Sequence, residues 1–293
     1  MPTVLENRRK WSEHSWEREG HEWSPGGSRA GTDLLWWRSI RPRVHGLVPA
    51  ATILEIAPGF GRWTSYLLGE CDRLIGVDVT ERCVEVCRER FAGSPAEFRT
   101  NDGESLPMVA SASIDLTFSF DSLVHVEAPQ IRAYLRELAR TLKPGASGFF
   151  HHSNLGAYAR GAGGIPSCIT KRHWRAASMS ARVFREACRD AGLVCVSQEV
   201  INWIGRGAQA DRHRLAGERI PLTDCFSTFI RPPATRDGPT RVYVNRRFVD
   251  EWRQLLVLST LYGRSGDGSE AAPPRADDAA SAVRRGGPRR VLR

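Results

Sequence analysis

The stretch 51–62 constrains the fold of this 293-residue chain more than any other part of the sequence. It opens with a largely apolar run, 53–56, of the kind that forms a buried parallel strand. A proline and two glycines, Gly59 and Gly61, interrupt this run, and a short helical pattern follows over 63–68. A strand, a tight glycine turn and a helix form the first half of a nucleotide-binding βαβ unit, in which the backbone approaches the ligand closely.

Acidic residues stand where the strands of such a unit end. Glu55 lies inside the first strand near the turn, where a carboxylate needs donors or a cation to offset its burial. Asp78 ends a second apolar run 17 residues after Gly61, and a carboxylate there can accept both hydroxyls of a ribose. Asp102 follows a short third strand. The pattern predicts a binding site at the carboxyl edge of a parallel sheet.

This ordered series resembles the class I S-adenosylmethionine-dependent methyltransferases over roughly residues 49–232. The Leu-Lys-Pro-Gly sequence at 142–145, which closes a helix before the fifth strand, adds to the resemblance. The resemblance implies an α/β fold with a Rossmann-like doubly wound sheet, mostly parallel, with an antiparallel hairpin at one edge. The strands of that hairpin are expected at 194–200 and 226–230. The resemblance also implies S-adenosylmethionine as the cofactor and methyl transfer as the activity.

The resemblance assigns the cofactor loop position by position. Glu55, Gly59 and Gly61 match the loop that holds the methionine end of the cofactor. Ala57 stands where the family usually has its first glycine. Because alanine is small, we expect a slightly altered turn at this position and a retained site.

Three further acids complete the expected cofactor site. Asp78 matches the acid that binds the ribose, and Asp102 matches the acid that contacts the amino group of the adenine. Asp121 follows the fourth strand at the same edge of the sheet, and it is expected to contribute to cofactor binding as well.

Three histidines are candidate bases for removing a proton from the methyl acceptor. His125 follows the fourth strand, whereas His151 and His152 follow a fifth strand expected over 148–150. Successive residues of an extended segment point to opposite faces, so at most one of the pair would face the acceptor. With Asp121 these histidines could hold a divalent metal, but their spacing is not diagnostic, and no metal site is assigned.

The residues after the fourth strand limit the chemical class of the methyl acceptor. Enzymes that methylate amino groups of nucleic-acid bases typically have Asp/Asn-Pro-Pro-aromatic there, whereas this chain reads Asp-Ser-Leu-Val over 121–124. We therefore expect O-methylation of a small molecule, such as a sugar or a glycosylated natural product. Two alternatives stay open. An NAD-linked oxidoreductase is disfavoured by Thr64 in place of a third glycine, and the near-complete cofactor motif argues against a non-catalytic methyltransferase-like binding subunit.

Bulk properties limit the partners. The net charge of +9 would suit nucleic acid, but no aromatic residue is interleaved with the arginines of 264–293, which disfavours that partner. The sequence contains no run of about 18 apolar residues, so no membrane span is predicted. Residues 1–10 are polar and lack the apolar region of a signal peptide, so a cytoplasmic location is expected. The oligomeric state is left open.

Composition and periodicity divide the chain into four segments. Residues 1–48 are expected to form a helical extension, which either covers the cofactor as a lid or only packs on the sheet. The S-adenosylmethionine-binding domain is expected over 49–234, and a second helical extension over 235–263. Residues 264–293 are rich in Gly, Ala, Pro, Ser and Arg, and they are expected to be disordered.

Overall fold

The computed structural model describes residues 3–159, 164–165, 169, 174–203, 221–233, 238–248 and 251. Within this part of the chain, one sheet of eight strands organises the fold. The strands are β1 (Ala50–Ile56), β2 (Cys71–Asp78), β3 (Ala96–Thr100), β4 (Ile114–Ser119), β5 (Leu142–Ser153), β6 (Val194–Ile201), β7 (Asp224–Ile230) and β8 (Arg241–Asn245).

The strand order is β3-β2-β1-β4-β5-β7-β6-β8. Strands β1 to β5 pair with one another in parallel. Strand β7 runs antiparallel to both β5 and β6. The order reverses between β1 and β4, and in open sheets of this kind ligands bind beyond the carboxyl ends of the strands at that switch point. The predicted Rossmann-like sheet, mostly parallel with an antiparallel hairpin, is confirmed.

Strand β8 corrects the prediction for the C-terminal extension. A helical extension was predicted over 235–263, but residues 241–245 form a strand, which pairs in parallel with β6. The hairpin of β6 and β7 therefore lies one strand inside the edge of the sheet. The consecutive valine, tyrosine and valine of β8, at 242–244, favour an extended strand over a helix. The predicted extension beyond residue 248 falls largely outside the described residues, and the tail 264–293 lies wholly outside them.

Helices cover both faces of the sheet. They are α1 (Val4–Glu13), α2 (Arg29–Leu35), α3 (Arg41–Val44), α4 (Thr64–Leu67), α5 (Glu81–Arg90), α6 (Ala128–Thr141) and α7 (Ala181–Asp190). A π-helical turn, Trp36–Ile40, joins α2 to α3. Pro42 lies in the first turn of α3, a position that tolerates proline. Within the described part of the chain, none of these helices is long and apolar enough to cross a membrane.

Two apolar layers hold these helices to the sheet. On one face, α6 and α7 pack against Phe150 and Phe229. On the other face, Trp36 of the π-helical turn and residues of α5 pack against Phe118 and Phe149. Neighbours along β5 thus enter opposite layers, as the alternation of side chains along a strand requires.

Strand β5 is longer than the sequence predicted. Residues 148–150 were expected, with His151 and His152 beyond the end of the strand, but β5 continues through Ser153. Antiparallel pairing with β7 keeps these residues extended, and His151 lies opposite Phe226. The side chains of the two histidines therefore enter the two buried layers and do not stand at the open edge.

Gly148 allows an aromatic side chain to pack closely on β5. A β-carbon at this position would lie 2.1 Å from Cζ of Phe229. The Phe229 ring also contacts Phe150 and Phe184, with ring centroids 5.2 and 5.8 Å away. Because these neighbours surround the ring, it cannot turn aside without losing contacts.

We expect Gly148→Ala to lower the free energy of unfolding by about 1–3 kcal/mol, because the added methyl group overpacks this layer. Denaturant unfolding followed by circular dichroism measures the loss. Gly69→Ala is the matched control, since a β-carbon there would meet no atom within 4 Å. The Gly148→Ala/Phe229→Leu double variant should be less destabilised than the sum of the single variants. Additive losses would show that the Phe229 ring is not the obstacle.

Candidate functional site

A cavity of about 530 Å³ opens at the carboxyl edge of the sheet, beside the switch point between β1 and β4. The loops after β1, β2 and β4 line it, and α1 with the segment up to Trp23 covers it. Its volume lies in the range of small-molecule sites, roughly 300–1,000 Å³. The fold therefore brings the predicted cofactor loop and the end of β4 to a single cavity.

The glycine loop after β1 adopts left-handed backbone conformations. Gly59 and Gly61 have φ values of 60° and 81°, which glycine adopts without strain. Ala57 takes the same kind of conformation, with φ of 57°, at a cost of about 1–2 kcal/mol for a residue with a β-carbon. The N–H of Ala57 donates to the carbonyl of Val77 at 2.7 Å, which anchors the turn to β2. The alanine thus has a glycine-like conformation.

Glu55 is buried in β1 and receives a hydrogen bond from the residue that replaces the third glycine. The hydroxyl of Thr64 donates to Oε2 of Glu55 at 2.6 Å. Burial raises the pKa of Glu55 to about 8, and the hydrogen bond from Thr64 only partly opposes this shift. The carboxyl group is therefore mostly protonated at neutral pH. Glu55, which was predicted to bind the cofactor, is not among the described residues that line the cavity, and its carboxyl group is held by Thr64 of α4.

Asp78 ends β2 and lines the cavity. Its Oδ2 accepts the N–H of Gly59 at 3.2 Å, and its Oδ1 accepts the N–H and the hydroxyl of Thr80, each at 2.9 Å. Burial raises the pKa of Asp78 despite these hydrogen bonds, which act to lower it. The residue predicted to bind ribose therefore also fixes the position of the glycine loop.

Asp102 caps its own turn after β3. Its carboxylate accepts the N–H of Glu104 at 2.8 Å and the N–H and hydroxyl of Ser105 at 2.6 and 2.7 Å. Burial acts to raise the pKa of Asp102, but these hydrogen bonds outweigh it and hold the pKa below its ordinary value. Gly103, the next residue, lines the cavity. The turn thus presents its backbone to the cavity beside a carboxylate.

Asp121 is held by a buried ion pair at the end of β4. Its Oδ2 accepts a hydrogen bond from Nη2 of Arg62 at 2.8 Å, and both side chains are almost entirely buried. Asp121 has a φ of 65°, an uncommon conformation for this residue type that often marks a functional position. The Arg62 guanidinium also lies 4.5 Å from the ring centre of Trp63. No local sequence pattern pairs Arg62 with Asp121, so the sequence did not predict a role for Arg62.

His151 lies behind the wall of the cavity. Its side chain has no solvent exposure, and it is not among the described residues that line the cavity. Its Nδ1 accepts the N–H of Asp121 at 3.1 Å, and its Nε2 lies 3.5 Å from Oδ2 of Asp224. The expectation that one histidine of the pair would face the acceptor is not met by His151 in this arrangement.

His152 occupies the opposite face of β5, as the alternation predicted. Its ring stacks on Phe184 with centroids 4.4 Å apart, and its Nε2 lies 2.8 Å from the hydroxyl of Ser227. Burial lowers the pKa of His152 to about 4. This histidine is also absent from the described lining of the cavity. The longer pairing of β5 with β7 thus buries both histidine rings away from the predicted site.

His125 is the predicted histidine that the structure places in the lining of the cavity. It ends a short 3₁₀ turn, Leu123–His125, after β4. Its Nδ1 lies 3.1 Å from the carbonyl oxygen of Trp174, which can only accept, so Nδ1 carries the proton. Burial lowers the pKa of His125 to about 4, and Nε2 therefore has a free lone pair at neutral pH.

Side chains of the N-terminal extension line the cavity. Trp11, Trp16 and Trp23 form a cluster with ring centroids 5.4–6.1 Å apart. Trp16 also stacks on Phe60 of the glycine loop at 4.6 Å. A β-carbon on Gly59 would lie 2.8 Å from the Trp16 ring, so the glycine allows this close contact.

A second buried ion pair lies on the far side of the cavity. Arg175, which lines the cavity, donates through Nη2 to Oδ2 of Asp224 at 2.7 Å. Burial acts to raise the pKa of Asp224, but Arg175 and His151 hold it well below its ordinary value. Arg175 and Asp224 are 49 residues apart, and no local sequence pattern pairs them. In the residues that the structure describes, no three histidine, cysteine or acidic side chains converge as metal ligands would.

The buried His152 predicts acid sensitivity of the fold. Its pKa is about 4 in the folded protein and about 6.5 when unfolded, so acid favours the unfolded state. The stabilisation is fully present above about pH 6.5, and about 3 kcal/mol is lost as the pH falls to 4. Denaturant unfolding at several pH values should give a shallower pH dependence for His152→Gln than for wild type. The exposed His45 provides the control, His45→Gln. Equal slopes for wild type and His152→Gln would contradict the assignment.

The sequence of this chain is similar to those of known methyltransferases. A sequence model of the family described as "Methyltransferase domain" matches residues 53–145. The chain is 41% identical over 69 residues to ribosomal RNA small subunit methyltransferase A of Geobacter sulfurreducens, covering 22% of this chain and 25% of that protein. It is 30% identical over 109 residues to phthiotriol/phenolphthiotriol dimycocerosates methyltransferase of Mycobacterium tuberculosis, covering 35% and 37% respectively. The chain thus spans less than half the length of these curated relatives.

Solved structures share the fold over a larger part of the chain. Geranyl diphosphate C-methyltransferase from Streptomyces coelicolor superposes with a TM-score of 0.56 at 13% identity, covering 79% of this chain and 99% of that one. At this identity the likeness is one of fold. The matched domain contains the glycine loop, Asp78, Asp102 and Asp121. Residues 53–145 thus match a methyltransferase domain, which agrees with the predicted resemblance to the class I S-adenosylmethionine-dependent methyltransferases.

Proposed function

We propose that this protein transfers the methyl group of S-adenosylmethionine to a hydroxyl group of a small molecule. The observation that carries the proposal is a single covered cavity, with the cofactor loop at one end and His125 among aromatic side chains at the other. The methyltransferase-domain match supports the cofactor and disfavours the NAD-linked alternative. The wider activity of the chain, its acceptor and the roles of individual residues are all part of this proposal.

The residues at the ends of β1 and β2 fit the cofactor. The left-handed loop at Gly59 and Gly61 presents backbone where a side chain would block a ligand, and it would hold the methionine end. Asp78 lines the cavity with a buried carboxylate and would accept the ribose hydroxyls. Asp102, beside the cavity-lining Gly103, would approach the adenine. When bound, S-adenosylmethionine supplies a methyl group on a positively charged sulfur.

The acceptor end of the cavity is mainly aromatic. Its described lining includes Trp11, Trp23, Phe120, Trp174 and Trp203. Large aromatic faces favour flat ring-shaped ligands and supply most of their binding energy through burial of apolar surface. The cover formed by α1 favours a small molecule over a nucleic-acid strand, which would need an open basic groove.

The two described arginines that line the cavity are already paired. Arg62 binds Asp121, and Arg175 binds Asp224. An anionic acceptor would therefore have to break one of these buried pairs to bind an arginine, at a considerable cost. A neutral ring with a hydroxyl group suits the site, and both a phenol and a sugar or glycoside belong to this class.

His125 is the base that we assign to the acceptor. The carbonyl of Trp174 fixes the proton on Nδ1, and Nε2 would accept the proton of the hydroxyl as the oxygen attacks. The imidazole is neutral throughout the physiological pH range, because burial lowers its pKa to about 4. His151 and His152 would then serve the site only through the packing and hydrogen bonds of β5.

We expect Asp78→Asn to weaken binding of S-adenosylhomocysteine by about 10- to 100-fold, because a buried charged acceptor is lost. Isothermal titration calorimetry measures the affinity directly. Asp72→Asn is the matched control, since Asp72 lies exposed at the other end of the same strand. An unchanged dissociation constant for Asp78→Asn would remove Asp78 from the cofactor site.

We expect His125→Asn to slow methyl transfer by about 10²- to 10⁴-fold, because asparagine can still donate to the Trp174 carbonyl but cannot act as the base. Transfer of labelled methyl groups to a panel of phenols, sugars and glycosides measures turnover. The affinity for S-adenosylhomocysteine should stay near wild type. The acid limb of the wild-type pH–rate profile should lie well below pH 6.5. Full activity of His125→Asn would show that the base lies elsewhere.

A further inference from the structure

Three hydrogen bonds connect α1 with the two loops that flank the acceptor end of the cavity: two join α1 to the loops, and one joins the loops to each other. Nδ2 of Asn7 donates to the carbonyl oxygen of His125 at 3.1 Å. Nε1 of Trp174 donates to Oδ1 of Asn7 at 3.1 Å. Nδ1 of His125 donates to the carbonyl oxygen of Trp174 at 3.1 Å. These bonds close a ring through three segments, which we call the Asn7 latch (Asn7, His125 and Trp174).

The chemistry of the partners determines the orientation of the Asn7 amide. An indole N–H can only donate and a backbone carbonyl can only accept, so the oxygen of Asn7 must face Trp174 and its nitrogen must face His125. Asn7 is 8% exposed, although several of its neighbours on α1 are exposed. Asparagine is a poor helix former, so its place in the interior of α1 calls for a reason other than helix stability.

The same face of α1 makes two more contacts with this pair of loops. The ring of Trp11 packs against the imidazole of His125, with centroids 5.1 Å apart. The ammonium of Lys10 lies 4.5 Å from the ring centre of Trp174. Docking of α1 therefore constrains His125 in two ways. The Asn7 latch holds the backbone of His125 and the Trp174 loop to which the imidazole donates, and the Trp11 ring covers the imidazole.

We propose that Asn7 is a positioning residue for methyl transfer, which couples docking of α1 to the tautomer and orientation of His125. The inference rests on the proposed function, because it takes His125 as the base. When α1 is docked, the Trp174 carbonyl keeps the proton on Nδ1 and leaves Nε2 free for the acceptor. When the latch is broken, the Trp174 loop loses its tie to α1, and the imidazole loses its fixed partner.

Charged groups on every element around His125 affect its titration. Arg175 acts to lower its pKa, whereas Asp121 and Asp224 act to raise it, and burial has the largest effect. Lys10 of α1 and Glu127 at the start of α6 also line the cavity near it. None of these groups changes in an Asn7 variant, so a change in the titration of His125 would report the latch itself.

The test compares Asn7→Ala with wild type by two readouts. Alanine removes both hydrogen bonds of the side chain while favouring the helix, so α1 itself should still form. Nuclear magnetic resonance of histidine-labelled protein follows the tautomer and titration of His125 without any acceptor. We expect a single Nδ1–H tautomer in wild type and a mixture of the two neutral tautomers in Asn7→Ala.

Turnover provides the second readout. We expect Asn7→Ala to lower kcat by about 10- to 100-fold, as a part of the effect of removing the base, with S-adenosylhomocysteine affinity within about threefold of wild type. Trp174→Phe, which removes the indole N–H and keeps the backbone carbonyl, should lower kcat in the same direction. Arg9→Ala, on the exposed face of α1, is the matched control.

The outcomes separate the latch from the function on which it rests. If wild type methylates no compound in the panel but Asn7→Ala changes the tautomer of His125, the proposed function fails and the latch stands as a structural device. If the tautomer and the pKa of His125 are the same in Asn7→Ala and Trp174→Phe as in wild type, the positioning role of Asn7 is overturned. A lower melting temperature without either change would show a purely structural role.

Discussion

Two buried ion pairs, linked through the imidazole of His151, hold the carboxyl edge of the sheet. Arg62 pairs with Asp121, whose N–H binds His151, and His151 faces Asp224, which pairs with Arg175. Removing one partner of a buried pair leaves an uncompensated charge, at a cost of about 3–5 kcal/mol. These links connect the glycine loop, the ends of β4 and β5, and β7. The walls of the cavity are therefore set by internal pairing before a ligand binds.

These linked ion pairs also explain why His151, which was predicted as a candidate base, has a structural role. His151 is enclosed by the rings of Phe120, Trp203 and Phe226, and both of its nitrogens face groups of the protein. An imidazole in that setting can order the wall behind the acceptor. The catalytic proposal therefore falls on His125, whose turn after β4 reaches the cavity itself.

The N-terminal extension connects the two ends of the cavity. Trp16 packs on Gly59 and Phe60 at the cofactor end, while Asn7 and Trp11 contact the loops at the acceptor end. A single segment thus covers both binding regions. In our proposal, docking of this segment orders the base.

The sequence alone was enough to predict the sheet and the glycine turn after β1, and it indicated a methyltransferase domain, whose family model matches residues 53–145. Apolar runs, glycines and chain-order acids are local signals, and they correctly indicated the strands around Gly59 and Asp78. Side-chain alternation likewise placed His151 and His152 on opposite faces. The domain boundaries and the roles of the site residues remain predictions.

Only the tertiary structure decided which polar groups meet in the cavity. The full length of β5 depends on β7, about 75 residues away, and this pairing buried the histidines that the sequence placed at the open edge. Arg62 and Asp121 are 59 residues apart, and Asn7 and Trp174 are 167 apart. Periodicity reports which face of its own element a residue occupies. It carries no information on which distant residue lies opposite, because that depends on how the elements pack and on which buried charges must be neutralised.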